Sequence, residues 1–133
     1  MGYSAKQKKV KVNLEGKEKI VKRLKQMGEA AGNVLMESAM AGGKIALEDA
    51  KRNCPVDTGT LKNSLKLSKD KQTKKKATVK VDYDKDIKYG TFVELGVRGR
   101  EANPFLRNAV DSNQKNINEE IAENVAKAVG GKM

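Results

Sequence analysis

The chain has no histidine, no tryptophan, one cysteine and two prolines, and three tyrosines and two phenylalanines are its only aromatic residues. Without histidine, the commonest general base is missing, and so are the usual catalytic triad and any Cys/His zinc set. A single cysteine excludes an internal disulfide. No run of 18 apolar residues exists, and the N-terminal stretch "MGYSAKQKKVKVNL" is basic without an apolar segment behind it, so neither a membrane span nor Sec export is expected. With aromatics at 4%, the core has to be built from Ala, Val, Ile, Leu and Met, and it is open to completion by neighbouring subunits. At 133 residues the length suits one domain and is too short for two independent cores.

What the chain has in excess is positive charge, +11 in all, and it is unevenly placed. Residues 1–25 hold nine Lys or Arg against two acids, and residues 66–80 hold seven Lys against one, so the rest of the chain is slightly acidic at −2. A globular body with two basic appendages differs from a uniformly basic nucleic-acid-binding domain. The clusters contain no interleaved aromatics, which points to attraction for phosphate rather than stacking on bases.

Residues 1–9 read as a flexible basic arm, and residues 10–133 as a single domain. Val10, Val12 and Leu14 alternate with polar residues, which is strand period, and Gly16 closes the run. From about Lys17 to Asn53 the spacing is helical, with an interruption expected near Met27-Gly28. Ala31, Leu35, Ala39, Gly42, Ala46 and Ala50 form a stripe of small residues that lets another backbone approach closely. Gly42-Gly43 costs roughly 1 kcal/mol per glycine relative to alanine, so a tight crossing, within the subunit or between subunits, or a kink is expected there.

The stop and turn signals concentrate in "CPVDTGTLKNSL", from Cys54 to Leu65. Pro55 ends the incoming helix, Asp57 and Thr58 bond locally, Gly59 permits a turn, and Asp57 or Thr60 caps a short helix running to Leu65. Leu65 to Ser68 and Ala77 to Tyr83 then predict the arms of a β-hairpin around a basic tip, Lys69 to Lys76. Asp86 caps a short helix through Leu95, which Gly96 ends; residues 97–102 form a charged loop, and Pro104 opens a final helix to Val129.

Candidate chemistry is sparse. Asp57-Thr58-Gly59 is the aspartic-protease triplet, yet a helix rather than an apolar strand leads into it, so Asp57 reads as a turn or cap residue. Cys54 has no histidine to activate it. Gly90, Gly96 and Gly99 lack phosphate-loop spacing, and Asp82, Asp84 and Asp86 lack the glycine a calcium loop needs. No enzymatic activity, cofactor or metal is expected.

Three blocks in order, "CPVDTGTLKNSL", "YGTFVELG" (Tyr89 to Gly96) and "NPFLRNAVD" (Asn103 to Asp111), resemble the signature of a small minor-tail or tail-completion family of long-tailed bacteriophages, the "gene product ten" type. The resemblance covers roughly residues 17 to 129. Pro55, Val56, Asp57, Thr58, Gly59, Leu61 and Ser64 match the first block, Tyr89, Phe92, Glu94 and Gly96 the second, and Pro104, Phe105 and Leu106 the third, while Thr60 and the "VRGRE" loop depart from the pattern. It implies an α+β fold in which a small antiparallel sheet with a basic hairpin packs against a long N-terminal helix and a C-terminal helix. It also implies a structural virion protein that completes the tail or joins it to the head, as a ring of identical subunits in contact with other neck or tail proteins. The expected location is the virion, and the host cytoplasm during assembly. Lys69, Lys71, Lys74, Lys75, Lys76, Arg98 and Arg100 are the candidate contact residues, and non-specific DNA contact is the alternative use of the same charge.

Overall fold

The computed structural model describes residues 7–54, 60–83 and 104–130. In chain order its elements are β1 (Gln7–Lys11), α1 (Glu18–Gln26), α2 (Ala30–Asn53), α3 (Thr60–Ser64), β2 (Lys66–Gln72), β3 (Ala77–Asp82), α4 (Phe105–Asp111) and α5 (Gln114–Ala128). This is the α+β arrangement that the sequence implies. β1 begins at Gln7, inside the stretch expected to form an arm, and residues 1–6 lie outside the described residues.

The expected interruption between the first two helices falls at Gly28, whose φ of +60° is one that L side chains rarely adopt. α1 buries Ile20 and Leu24, one turn apart. α2 then runs unbroken for 24 residues, about 36 Å at the rise of an α-helix. Its two central glycines are explained by close packing within the chain. A Cβ on Gly42 would lie 2.6 Å from Ile121 Cγ1 of α5, and one on Gly43 would lie 2.7 Å from Leu67 Cδ1 of β2 and 3.0 Å from Val79 Cγ2 of β3. One stripe of α2 therefore abuts the sheet, and the neighbouring stripe abuts the C-terminal helix. The glycines that weaken α2 as an isolated helix are what bring both partners near its axis.

The sheet is antiparallel throughout, in the order β1-β3-β2. Central β3 alternates strictly: Ala77, Val79 and Val81 are buried, and Thr78, Lys80 and Asp82 lie on the opposite face. Val10 stands opposite Val79, which adds β1 to the buried face. β2 runs further than the sequence suggests, to Gln72, so the basic tip shrinks to Thr73–Lys76. A register shift between Lys69 and Lys71 absorbs the odd residue. Thr73 Oγ1 accepts the backbone N–H groups of Lys75 and Lys76, at 3.2 and 2.9 Å, and the Thr73 N–H donates to the Lys76 carbonyl at 2.7 Å. The hydroxyl turns a run of lysines into a closed turn.

The expected single C-terminal helix is instead two. The Asn113 side chain donates to the Ala109 carbonyl at 2.8 Å, taking a bond that a continuing helix would make with its backbone, and α5 restarts with the Ile117 N–H on the Asn113 carbonyl. Ile117, Ile121 and Val125 then recur every four residues along the buried face of α5. Gly130, at φ +72°, follows that helix, and its carbonyl accepts Arg23 Nη1 at 2.8 Å, tying the far end of the chain to α1.

Candidate functional site

The corner that anchors the first motif block is described only at its two ends. Pro55, Val56, Asp57, Thr58 and Gly59 lie outside the described residues, as do Tyr89, Phe92, Glu94 and Gly96 of the second block and Arg98 and Arg100 of the following loop. On its far side the corner leads into the short helix expected there, α3, with Ser64 half-buried and Leu65 buried. Before it, Cys54 takes an extended conformation (φ −73°, ψ 134°) that ends α2, as a residue preceding proline should.

Cys54 is buried, and that burial pushes its thiol up to about 11, with Lys62 pulling weakly the other way. The group is held neutral, which is the reverse of an activated nucleophile. Any stability linked to the neutral thiol is complete below its ordinary value and is lost as pH rises through about 11. Near neutral pH a shift of that size leaves about a hundredfold less thiolate than an exposed cysteine has. Labelling of native protein with a chromogenic disulfide at pH 8 should accordingly be slower by about that factor than labelling of the urea-unfolded chain. Equal rates would show an accessible thiol.

The third block is structural in the plainest sense. Pro104 precedes α4, and the Asn108 N–H donates to its carbonyl at 2.9 Å. Phe105 and Leu106 are 1% and 0% exposed. The Phe105 ring packs on Tyr83, just past β3, with centroids 6.4 Å apart and planes tilted by 30°. The sequence places Tyr83 at the end of the hairpin arm but does not show its pairing with Phe105. Its signal was its place as the next inward residue of the Ala77-Val79-Val81 alternation.

The structure disperses the candidate lysines. Lys69 is exposed opposite Val79, whereas Lys71, beyond the bulge, is exposed opposite Thr78 on the other face. Lys74 reaches back to the α1–α2 junction and meets Glu29 Oε1 at 3.2 Å. Lys74 and Lys75 also border a groove of about 440 Å³ whose floor is Val12, Leu14, Val21, Leu24, Ala31 and Leu35, with Lys25 on its other rim. This apolar trough edged with ammonium groups was invisible in the sequence, because its walls come from the segment after β1, from α1 and α2, and from the hairpin turn.

Two further ion pairs cross the outer face of the sheet: Lys9 Nζ lies 3.3 Å from Asp70 Oδ2, and Lys80 Nζ lies 3.9 Å from Asp82 Oδ2. Among the described residues no group of three or more His, Cys, Asp or Glu could hold a metal ion, and no helix is long and apolar enough to cross a membrane.

Against known proteins, the chain matches one family model, described as "Bacteriophage HK97-gp10, putative tail-component", over residues 18–96. The match runs from the start of α1 through the first two motif blocks and stops short of the third, which lies at residues 103–111. No curated protein and no solved structure matched it.

Proposed function

Because the chain belongs to the HK97-gp10-like family of bacteriophage tail components, we propose that it is a non-catalytic structural protein of the virion that completes the tail or joins tail to head. It acts as a ring of identical subunits with head-to-tail contacts, assembled in the host cytoplasm. The observation that carries this reading is the family match over 18–96, which takes in α1, α2, the hairpin and the second block. Two features support self-association. Val34, Met40, Ile45 and Leu47 leave α2 partly exposed beside the core. The groove between α1, α2 and the hairpin turn offers a neighbour both apolar area and lysines to pair with. Heterologous contacts of this kind close into rings when the rotation permits.

Light scattering over a range of protein and salt concentrations tests the proposal. The expected result is a mass that climbs with concentration to a closed-ring plateau, or association when purified tails or connectors are added. A chain that stays monomeric in both settings would sink the reading. Neutralising the turn (Lys74→Gln, Lys75→Gln, Lys76→Gln) is expected to lower the yield of assembled particles while far-ultraviolet circular dichroism stays unchanged. An unchanged yield would remove the turn from the contact surface.

A further inference from the structure

The face of the sheet turned away from α2 is a field of lysines set by strand register. Lys9 stands opposite Lys80 and Lys80 opposite Ser68 in one row, Lys11, Thr78 and Lys71 share the next, and Lys66 stands opposite Asp82 in a third. Lysines two apart on a strand are about 7 Å apart, and those on neighbouring strands about 5 Å. Directly opposed like charges such as Lys9 and Lys80 repel, and here each is held by its own carboxylate, Asp70 or Asp82. The bulge at residues 69–71 serves this arrangement, because it brings Asp70 within reach of Lys9 and aims Lys71 outward. Among the described residues, five lysines against two carboxylates leave the face at +3. That excess resides in Lys11, Lys66 and Lys71, which are exposed and make no ion pair with any described residue.

The other side chains of these rows decide the kind of partner. Among the described side chains they are serine, threonine and aspartate, with nothing apolar or aromatic. A protein interface draws on apolar and aromatic residues and is depleted in lysine. A single-stranded nucleic acid needs rings on which bases can stack. An array of ammonium groups without either suits a rigid polyanion whose charges are close together, and duplex DNA carries one about every 1.7 Å of its axis. We propose that the outer face of the sheet, centred on Lys11, Lys66 and Lys71, binds the phosphate backbone of double-stranded DNA without regard to sequence. This goes beyond the tail reading and does not rest on it, because it concerns the single subunit.

The test is fluorescence anisotropy of a labelled mixed-sequence duplex with the full chain, titrated between about 50 and 200 mM salt. Two triple variants lose the same charge: Lys11→Gln/Lys66→Gln/Lys71→Gln on the face and Lys74→Gln/Lys75→Gln/Lys76→Gln on the turn. The face variant should bind at least about tenfold more weakly at low salt and flatten the slope of log K against log salt by about 2.7, whereas the turn variant stays within about threefold of the parent. Equal weakening of both triples would reduce the effect to net charge and overturn the proposal. So would a parent chain that fails to bind the duplex at low salt. A face variant that keeps duplex binding but loses association with purified tails would assign the face to an acidic protein and likewise overturn it. A monomeric mass in light scattering would leave these outcomes readable, so failure of the tail reading and failure of this one are distinguishable.

Discussion

Replacing Phe105 by alanine is expected to destabilise the chain by about 3–5 kcal/mol, the range for emptying a fully buried aromatic site. The ring is 1% exposed and is the largest of the fully buried side chains among the described residues. It is also the first residue of α4, against Tyr83 at the end of β3. Its loss leaves a cavity where the C-terminal helices join the sheet, and it removes an aromatic pair worth about 0.5–1.5 kcal/mol in addition. Against a total stability of about 5–15 kcal/mol for a domain, that is a large fraction. Urea unfolding followed by circular dichroism measures it as a fall in midpoint with the slope unchanged. A loss below about 1 kcal/mol would mean that the ring is not a core element.

The second large effect is expected at Gly42. Gly42→Leu should cost about 3 kcal/mol or more, because overpacking of a filled core forces backbone shifts. The atoms a Cβ meets there are Ile121 Cγ1 at 2.6 Å, Ile121 Cδ1 at 2.9 Å and Ile117 Cγ2 at 3.2 Å. Both isoleucines are wholly buried, so neither can swing aside without displacing α5. Its neighbour is a built-in control. At Gly43 the nearest atom is a terminal methyl of the half-buried Leu67 and the next is Val79 Cγ2 at 3.0 Å, so Gly43→Ala should cost less than the change at Gly42, the more so because about 1 kcal/mol of helix propensity is regained. Combining Gly42→Leu with Ile121→Ala should recover part of the loss, which a double-mutant cycle would show as coupling. Equal costs at the two glycines would contradict the crossing described.

Much of this fold was legible because its periods are clean. The alternation Ala77-Val79-Val81 and the four-residue recurrence of Ile117, Ile121 and Val125 each report one buried face, and burial follows both. The punctuation was legible too: Gly28 and Cys54-Pro55 end helices by backbone chemistry that needs no tertiary context. What failed to show was whatever depends on a local competition. Asn113 splits the last helix by donating to Ala109, although the apolar spacing around it continues unbroken. Thr73 shortens the tip through its hydroxyl, although the surrounding lysines read as loop.

The candidate surfaces were legible only as composition. A count of lysines cannot say that Lys71 and Lys69 fall on opposite faces, since a bulge decides it, nor that Lys74 and Lys75 edge an apolar trough. Lys9 and Lys80 are 71 residues apart in sequence yet face each other across the ladder, so the basic field exists only once the sheet has formed.

The sheet order also sets a timetable. Val10 pairs with Val79, and among the described residues β1 pairs with no other strand, so β1 leaves the ribosome 69 residues ahead of its partner. At about 5–20 residues per second that delay is roughly 3–14 s. During it α1 and α2 are already made, and the small-residue stripe of α2 has neither sheet nor α5 against it. The last register to close is therefore a long-range one, whose loop entropy is recovered only when β3 arrives between the two strands it joins. A nascent chain of this topology passes through a helical stage with an unfinished flank, and the lysines on β1 and β2 keep that stage in solution until the central strand completes it.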